Sequence, residues 1–484
     1  MFSKILVANR GEIAVRVIRA CREMGVRTVA VYSEADRACR HLGMADEAVC
    51  IGPGPAAESY LKAERIVAAA RLTGAQAIHP GYGFLAEAPA FARACAERGI
   101  VFIGPPADAI SVLGNKAAAR ELAGRCGVPV VPGTAARDPH GPSDGGAAVK
   151  DLIRGARRIG LPVMVKAAAG GGGKGLRVVR EDAGLGPALE RAGAEAKAAF
   201  GDGSLYVEKL VERPRHVEIQ IMADRHGSAV AAVERDCSVQ RRHQKLIEES
   251  PSPAVTPRTR RRLQEAALRI VKACRYANVG TVEFLLDRDG DFYFMEVNTR
   301  LQVEHPVTET VTGLDLVAEQ IRLAAGERLS FDQARASEIR CHSIEHRINA
   351  EDPDRDFAPC PGRISSLELP AGPGVRVDTH LYAGYTVPTF YDSLLAKLIV
   401  GADTRRAAIS RALRALGEFR VDGIATTVPF HQRVLRHARF ASGDFDTRFA
   451  DELRMEEPAE AAPPPQSRPR GNWVPGPSGS GAMT

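Results

Sequence analysis

The fold class is decided by residues 5–32, which read ILVANRGEIAVRVIRACREMGVRTVAVY. Residues 5–8 are a short apolar run typical of a buried strand, and apolar residues at helical spacing follow over residues 13–24. The helical pattern ends at Gly25, and residues 28–32 have the composition of a second strand. The stretch therefore predicts a strand–helix–strand unit with parallel strands.

The same alternation continues to the sequence Gly104-Pro105-Pro106, and it predicts an α/β domain built on a parallel sheet. Further strands are expected at residues 48–51, 76–78 and 100–103, and helices at residues 59–72 and 89–98.

The composition narrows the class of protein. A chain of 484 residues, 45% hydrophobic and 26% charged, has the length of about three domains and enough apolar material for their cores. A net charge of +6 is too small at this length to indicate a nucleic-acid partner, and no long apolar run indicates a membrane helix. Nine cysteines without a C-x-x-C pair favour reduced thiols, and therefore a cytoplasmic enzyme.

The rest of the chain mixes helices and strands less regularly, which predicts an α+β architecture. The pattern gives helical stretches around Lys116 and Leu152, strand-length segments within residues 205–232 and 281–297, short strands broken by Pro and Gly from Cys341, and helices at residues 405–416 and 427–436.

Residues 458–484 have a different composition, because seven of these 27 residues are Pro and four are Gly. Such a segment buries too little apolar surface to offset chain entropy, so we expect a disordered tail or linker. The single tryptophan, Trp473, lies in it. We interpret Trp473 either as a docking anchor for a partner or as an incidental residue of the linker.

Residues 170–175, GGGGKG, are the first candidate phosphate-binding feature. A glycine loop that binds dinucleotides leads into a helix, but residues 176–179 have a strand pattern, and Gly175 stands where a P-loop needs Ser or Thr. A strand, a glycine loop and a strand predict a flap whose backbone N–H groups close over phosphates, with Lys166 supplying a charge beside it. The alternative is a hairpin tip without a ligand.

Residues 281–298, TVEFLLDRDGDFYFMEVN, predict a β-hairpin with Asp289-Gly290 as its two-residue turn. This turn puts Arg288 opposite Asp291, and it puts Glu283 opposite Glu296. The expected core face carries Val282, Phe284, Leu286, Tyr293, Met295 and Val297.

The other face of this hairpin carries Glu283, Glu296 and Asn298. Directly opposed carboxylates repel each other unless something positive lies between them. Carboxylate and amide oxygens are hard ligands suited to Mg²⁺ or Mn²⁺, so we interpret the three residues as a metal site. A solvated acidic strand face is the alternative.

Basic and polar side chains lie on either side of this hairpin in the sequence. They are Arg235, Arg241, Arg242, His243 and Lys245 before it, and Arg300, Gln302, Glu304 and His305 after it. Alone, the first group is typical of a solvated surface. Next to carboxylates that hold metal and phosphate, it would form an anion pocket.

Several long motifs carry a resemblance to a known family. They are the residues 5–12 quoted above, HPGYGFL from His79, ERDCSVQRRHQK from Glu234, EVNTRLQVEHPVTE from Glu296, RINAEDP from Arg347, and AGYTVP with YDS from Ala383. Through them, residues 1–450 resemble biotin carboxylase, the ATP-grasp component of biotin-dependent carboxylases.

The resemblance implies a domain order. We expect an N-terminal Rossmann-like domain at residues 1–114 and an ATP-grasp domain with the glycine-rich flap at 115–330. A biotin-carboxylase-type C-terminal domain follows at 331–450, and a disordered Pro/Gly-rich tail or linker at 451–484.

The resemblance also implies a role for each matching residue. The implied ATP-binding residues are Lys116, Lys166, Gly172, Gly173, Glu208, Lys209, Val211, His216, Gln240, His243, Glu283, Leu285 and Glu296. The implied metal ligands are Glu283, Glu296 and Asn298. The implied bicarbonate and biotin residues are Lys245, Arg300, Gln302, Val303, Glu304 and Arg347, of which Lys245, Arg300, Glu304 and Arg347 are catalytic.

The implied reaction has two stages. Glu304 deprotonates bicarbonate while Arg300 and Lys245 balance the charge, and attack on ATP gives carboxyphosphate and ADP. Carboxyphosphate then releases CO₂ and phosphate, phosphate deprotonates biotin, and Arg347 stabilises the biotin enolate. The implied cofactors are ATP, Mg²⁺ or Mn²⁺ in two sites, and biotin on a carrier protein.

The implied partners follow from the same resemblance. No lysine occurs after Lys397, so no biotin attachment site lies in the C-terminal part, and a separate biotin carboxyl carrier protein is expected. A carboxyltransferase subunit would select the final acceptor, as in acetyl-CoA carboxylase of fatty acid biosynthesis, and a homodimer is expected. The sequence leaves the acceptor open among acetyl-CoA, propionyl-CoA, pyruvate and others.

Two alternative functions stay open at this point. One is another ATP-grasp ligase that forms carboxyphosphate. The other is a nucleotide-binding regulatory subunit without catalysis, although Glu283, Glu296, Arg300, Glu304 and Arg347 are all present.

Overall fold

A five-stranded parallel sheet forms the N-terminal part of the chain, as the sequence predicts. The computed structural model describes residues 1–139, 145–168 and 176–455. The first elements are β1 (Lys4–Val7), α1 (Gly11–Glu23), β2 (Arg27–Ser33), β3 (Glu47–Gly52), α2 (Ala63–Thr73), β4 (Ala77–His79), α3 (Pro89–Ala96), β5 (Val101–Phe102) and α4 (Ala107–Gly114). The strand order is β3-β2-β1-β4-β5. The helix expected from residue 59 begins at Ala63, because residues 59–61 form a turn in which the Ser59 hydroxyl donates to the Pro55 carbonyl.

The elements of the remaining chain include the helices predicted around Lys116 and Leu152. The helices are α5 (Lys116–Arg125), α6 (Gly145–Ile159), α7 (Leu185–Phe200), α8 (Pro257–Ala273), α9 (His305–Thr312), α10 (Leu316–Ala324), α11 (Gln333–Ala336), α12 (Arg405–Glu418), α13 (Val428–Arg436), α14 (Ala438–Ser442) and α15 (Phe449–Met455). The strands are β6 (Val163–Ala167), β7 (Arg177–Val179), β8 (Leu205–Lys209), β9 (Arg215–Ala223), β10 (Ala229–Arg241), β11 (Gln244–Ser250), β12 (Asn278–Leu286), β13 (Phe292–Asn298), β14 (His342–Asn349), β15 (Glu351–Asp352), β16 (Ala358–Pro359), β17 (Gly362–Arg363), β18 (Ser366–Glu368), β19 (Val375–Thr379), β20 (Thr386–Val387), β21 (Leu394–Ala402) and β22 (Arg420–Asp422).

One antiparallel sheet of eight strands runs through the middle and the C-terminal part, in the order β13-β12-β9-β10-β11-β14-β21-β19. The strand β11 pairs with β14, with Glu248 opposite Glu345. The expected boundary near residue 330 therefore falls between strands that share one sheet. The sheet also packs against the first domain, because Ile13 and Val17 of α1 share a buried apolar cluster with Met222 of β9 and Val279 of β12.

A separate three-stranded sheet, β7-β6-β8, carries the two strands expected on either side of the glycine run. β6 and β7 pair antiparallel, with Val163 opposite Val179. Gly172 and Gly173, which were predicted to contact ATP, lie outside the described residues, as does Trp473.

The predicted hairpin is present as β12 and β13, with Glu283 opposite Glu296. Its turn is one residue longer than predicted, because the Asp287 N–H donates to the Asp291 carbonyl (2.8 Å) and Leu286 pairs with Phe292. A bulge between the Phe284–Phe294 and Glu283–Glu296 pairs absorbs the extra residue, Met295. The two changes cancel at the carboxylates.

The predicted core face of this hairpin is confirmed for Val297 but is wrong for Tyr293 and Met295 on β13. Phe292 and Phe294 are buried against Phe284, whereas Met295 is 36% exposed and Tyr293 is only partly buried. Between the longer turn and the bulge, the side chains of β13 alternate out of phase with the predicted pattern.

The tail expected from residue 451 does not begin at that residue. Residues 451–455 complete α15, because Phe449 and Ala450 are buried and Arg439 pairs with Glu452 at 2.7 Å. The expected tail beyond Met455 lies outside the described residues. Within the described ranges, no helix is long and apolar enough to cross a membrane.

Candidate active site

The candidate site is centred on Lys245, whose ammonium group is surrounded by three carboxylates. Its Nζ lies 2.6 Å from Glu218 Oε2, 2.8 Å from Glu283 Oε1 and 2.6 Å from Glu304 Oε1. Burial lowers the pKa of Lys245, but the three carboxylates raise it far more, so its pKa lies well above the ordinary value. The side chain is therefore a fixed positive charge in a buried acidic cluster.

Strand geometry brings this cluster together. Glu218 on β9 is the register partner of Glu283 on β12, so both side chains project from one face of the eight-stranded sheet. Lys245 lies on β11 of the same sheet, and Glu304 caps the N-terminus of α9. Sheet pairing therefore joins Glu218, Lys245 and Glu283, which are up to 65 positions apart in the chain, and the start of α9 adds Glu304.

Glu304 is held between two cations. Its second oxygen, Oε2, accepts from Arg347 Nη2 at 2.8 Å, and Arg347 Nε donates to Glu248 Oε1 at 2.6 Å. Burial raises the pKa of Glu304, but Lys245 and Arg347 lower it more strongly, so its pKa lies well below the usual range. Glu304 is thus ionised at neutral pH.

The expected metal ligands form a set of hard oxygen donors. Glu283 and Glu296 face each other across the hairpin, and Asn298 Nδ2 donates to Glu283 Oε1 at 2.8 Å. His216 Nε2 lies 2.9 Å from Glu283 Oε2. Opposed carboxylates with an amide beside them fit Mg²⁺.

Arg300 and Gln302 extend the site toward the N-terminal domain. Arg300 donates to Gln302 Oε1 (2.9 Å) and to Asn298 Oδ1 (3.2 Å), and it pairs with Glu87 Oε2 at 2.9 Å. Gln302 Nε2 donates to Glu283 Oε1 at 3.1 Å. The structure therefore brings together the predicted bicarbonate residues and the predicted metal ligands.

A second basic group borders the site on the side of the three-stranded sheet. Lys166 Nζ lies 2.6 Å from Glu208 Oε2, and Lys116 Nζ lies 3.5 Å from Glu296 Oε2. Burial, together with the charges of Lys116 and Arg120, lowers the pKa of Lys166 to about 8. These lysines are placed to meet an anion beside Glu296.

The other predicted site residues lie around this centre with varied side-chain partners. Lys209 donates to the Gly160 and Leu161 carbonyls (3.0 and 2.9 Å), so its ammonium group is engaged by the loop before β6. His243 lies in the β10–β11 turn at φ +66°, and burial and Lys166 lower its pKa. Gln240 is the register partner of Lys245, and Leu285 is that of His216. Val211 lies between β8 and β9.

Sequence reasoning missed Glu218, although it is central to the cluster. On β9, the polar residues His216, Glu218 and Gln220 alternate with Val217, Ile219 and Ile221, and all six are buried. This alternation is the sequence signal from which Glu218 could have been predicted. On a strand with both faces buried, polar side chains need hydrogen-bonding or ion-pair partners.

The solvated-surface interpretation of the first basic group is wrong for Arg235. Its guanidinium is fully buried, pairs with Glu218, and donates to Gln220 Oε1 (2.7 Å) and Thr308 Oγ1 (2.9 Å). Arg241 and Arg242 pair instead with Asp356. Of these three arginines, Arg235 and Arg241 are therefore buried and only Arg242 lies on the surface.

Three family models match consecutive parts of the chain. "Biotin carboxylase, N-terminal domain" matches residues 1–110, and "Carbamoyl-phosphate synthase L chain, ATP binding domain" matches residues 115–331. "Biotin carboxylase C-terminal domain" matches residues 345–452.

Curated relatives match nearly the whole chain. The biotin carboxylase of a Nostoc species is 52% identical over 453 residues, which cover 93% of this chain and 99% of that protein. The chain belongs to the biotin carboxylase family. Biotin carboxylase 1 of Bacillus subtilis is 51% identical over 452 residues, which cover 93% of this chain and 98% of that protein.

Solved structures of this family have the same fold. The biotin carboxylase domain dimer of Hydrogenobacter thermophilus 2-oxoglutarate carboxylase, in complex with MgADP, ADP and bicarbonate, matches with a TM-score of 0.87 and 47% identity over 93% of this chain and 98% of that one. Campylobacter jejuni biotin carboxylase, solved with a β-γ-ATP complex, matches with a TM-score of 0.87 and 44% identity over 93% and 99%. The predicted family, fold class and ATP-grasp ligase class are confirmed, and the alternative of a different carboxyphosphate-forming ligase loses its support.

Proposed function

We propose that the enzyme carboxylates biotin with ATP and bicarbonate, and that Glu304 is the base that activates bicarbonate. The observation that carries the proposal is the position of the Glu304 carboxylate, 2.6 Å from Lys245 Nζ and 2.8 Å from Arg347 Nη2. A small anion that binds next to this buried, ionised carboxylate would contact both a base and two compensating positive charges.

Bicarbonate would bind beside Arg300, Gln302 and Lys245. Without substrate, Glu304 is a weak base, because Lys245 and Arg347 stabilise its charge. An anion that shares Lys245 weakens this stabilisation, so the basicity of Glu304 rises when bicarbonate is present. The bicarbonate proton then passes to Glu304, and a bicarbonate oxygen attacks the γ-phosphorus of ATP.

Lys116, Lys166 and His216 would neutralise the phosphate oxygens during this attack. The P–O bond to ADP breaks as the new P–O bond of carboxyphosphate forms. With a pKa of about 8, Lys166 is mainly protonated at neutral pH. A bound phosphate would raise the protonated fraction further. Glu208, Lys209, Val211, Gln240, His243 and Leu285 would border the nucleotide, with the glycine flap residues Gly172 and Gly173 over the phosphates.

Glu283, Glu296 and Asn298 would hold Mg²⁺, which supplies charge neutralisation to the bound phosphates. Asn298 and Gln302 already donate to Glu283 and keep its carboxylate facing Glu296.

Arg347 would act in the second stage. Carboxyphosphate breaks into CO₂ and phosphate, and phosphate takes the proton from the biotin ureido nitrogen. Arg347, anchored by Glu248, would stabilise the enolate oxygen while the nitrogen attacks CO₂. The same guanidinium contacts Glu304, so the two stages share one centre.

An ATPase assay tests this function. We expect ADP formation that requires bicarbonate and that free biotin stimulates, with carboxybiotin as a product. ATP turnover that is indifferent to biotin but responds to ammonia would contradict the proposal. Nucleotide binding without any turnover would instead favour the alternative of a regulatory subunit.

The proposed partners are a carboxyltransferase subunit, a separate biotin carboxyl carrier protein and a second copy of the chain. The relative from H. thermophilus was solved as a dimer, which supports the last of these. We also propose a cytoplasmic location, which is supported by nine cysteines that are all free. The expected division at residues 114, 330 and 450 stays a proposal, to be tested by limited proteolysis.

A further inference from the structure

Lys397 on β21 is a buried lysine that has no role in the steps described above. Its side chain is 0% exposed, and its Nζ donates to the Val303 carbonyl at 3.0 Å and lies 3.1 Å from Glu12 Oε1. A wholly buried ammonium group is costly unless its surroundings compensate it. The two contacts of the Lys397 ammonium group therefore indicate its role.

The first contact reaches the backbone next to the proposed base. Val303 immediately precedes Glu304, and its peptide leads into the turn at which α9 begins. Lys397 is also the register partner of Arg347 on the adjacent strand β14. Two cations from neighbouring strands thus hold consecutive residues: Arg347 binds the Glu304 carboxylate, and Lys397 binds the Val303 carbonyl.

The second contact reaches the N-terminal domain. Glu12 lies in the first turn of α1, and the Tyr82 hydroxyl donates to the same Glu12 oxygen that faces Lys397. Asn9 fixes the loop of Tyr82, because its Nδ2 donates to the Pro80 and Tyr82 carbonyls, each at 2.7 Å. The motifs at residues 5–12 and from His79, which have no chemical role so far, therefore converge on Lys397.

We infer that Lys397 is a positioning residue for bicarbonate activation: tied to Glu12, it fixes the Val303 peptide and thereby the direction in which Glu304 faces bicarbonate. This inference rests on the proposed function of Glu304. An ion pair with Glu12 alone would serve stability, but the added bond to Val303 fixes a residue of the proposed bicarbonate pocket. Displacing a base by about 1 Å costs up to about a hundredfold in rate, so such a bond matters for catalysis.

The test compares Lys397→Met with Lys397→Arg in the full-length enzyme. ADP formation is measured with free biotin present, while bicarbonate and ATP are titrated separately. We expect Lys397→Met to lower kcat/KM for bicarbonate about a hundredfold, with the KM for ATP and the affinity for ADP unchanged. Lys397→Arg should recover part of the loss, because a guanidinium still donates to both acceptors.

Lys4→Met is the matched control. Lys4 is also largely buried, donates to a backbone carbonyl (Thr73, 2.6 Å) and pairs with a glutamate (Glu47, 2.6 Å), but it lies at the start of β1 and both partners belong to the N-terminal domain. It should lower the thermal unfolding midpoint without changing any kinetic constant of the folded enzyme.

The possible results distinguish a failure of this inference from a failure of the proposed function. A kcat/KM for bicarbonate that is unchanged in Lys397→Met, or a loss that follows the folded fraction and affects the KM for ATP equally, overturns the inference while leaving the function intact. If Lys397→Met does not fold, Glu12→Gln decides: a selective loss in kcat/KM for bicarbonate supports the inference, and wild-type kinetics overturn it. A wild-type enzyme without bicarbonate-dependent turnover overturns both proposals.

Discussion

Glu304 combines a charge that the protein stabilises strongly with the proposed task of accepting a proton. Lys245 and Arg347 keep its carboxylate ionised without substrate, and Lys245 is shared with Glu218 and Glu283. In the proposed mechanism, the basicity of Glu304 therefore depends on how an arriving anion changes its contacts with Lys245 and Arg347.

Glu304→Gln tests the base directly. The amide keeps the shape of the side chain but cannot take a proton, so we expect kcat to fall by about a hundredfold or more, with ADP affinity unchanged by calorimetry. Glu418→Gln on the exposed face of α12 is the control, since its partner is the exposed Arg414. Turnover of Glu304→Gln at the wild-type rate would remove Glu304 from the base role.

Residues joined by short-range strand geometry could be predicted from the sequence. A hairpin turn and alternating side chains were enough to place Glu283 opposite Glu296, with Asn298 nearby. Alternation on β9 marks Glu218 as a polar residue of a buried strand, but the partners of Glu218 and of Lys397 could not be found in this way. Their partners lie up to 385 positions away. The pairing of distant strands and the packing of α1 against the sheet bring them together, and periodicity specifies neither.

The hairpin of β12 and β13 shows how an element can be predicted correctly for a partly wrong reason. A tight Asp289-Gly290 turn with continuous pairing gives the same carboxylate pair as the observed longer turn with a bulge at Met295. The two registers differ in which aromatic side chains of β13 enter the core.

Phe294→Ala and Tyr293→Ala distinguish these registers. Phe294 is 4% exposed and packs against Phe284, so we expect Phe294→Ala to lower the free energy of unfolding by about 3–5 kcal/mol. Tyr293 is partly exposed, and Tyr293→Ala should cost clearly less. Denaturant unfolding of both variants checks the order, and the reverse order would restore the continuous pairing.

At the scale of the whole molecule, one sheet carries residues that we propose for both stages of the reaction. The proposed metal ligands lie on β12 and β13, and Arg347 lies on β14 of the same sheet. The sequence predicted the strands of the two blocks but not their union, because the pairing of β11 with β14 joins segments about 95 residues apart.

Glu249 on β11 contributes to the pairing of β11 with β14. It accepts from Arg405 of α12 (2.7 Å) and faces His342 Nε2 (2.8 Å). Burial raises the pKa of Glu249, but His342 and Arg405 lower it below its ordinary value of 4.5. Its ionised form therefore stabilises the fold above about pH 4.5, and this contribution is lost as the pH falls through the lowered pKa.

Glu249→Gln should accordingly lower the free energy of unfolding by about 3 kcal/mol at pH 7, because it leaves Arg405 without its buried anion. The difference from the wild type should shrink as the pH falls below about 4.5. Chemical unfolding at several pH values measures it, with Glu418→Gln as the exposed control. A difference that stays constant with pH would contradict the assignment of the charge.

The eight-stranded sheet also fixes the spacing of residues proposed for the two stages of the reaction. Ladder hydrogen bonds fix the distance between the strands that carry Glu283 and Arg347. The eight-stranded sheet is therefore a rigid support for these two residues. Among the described residues, the β7-β6-β8 lobe shares no strand pairing with that sheet. A change in the position of this lobe would therefore break no ladder hydrogen bond of the larger sheet, and it would leave the spacing of Glu283 and Arg347 unchanged.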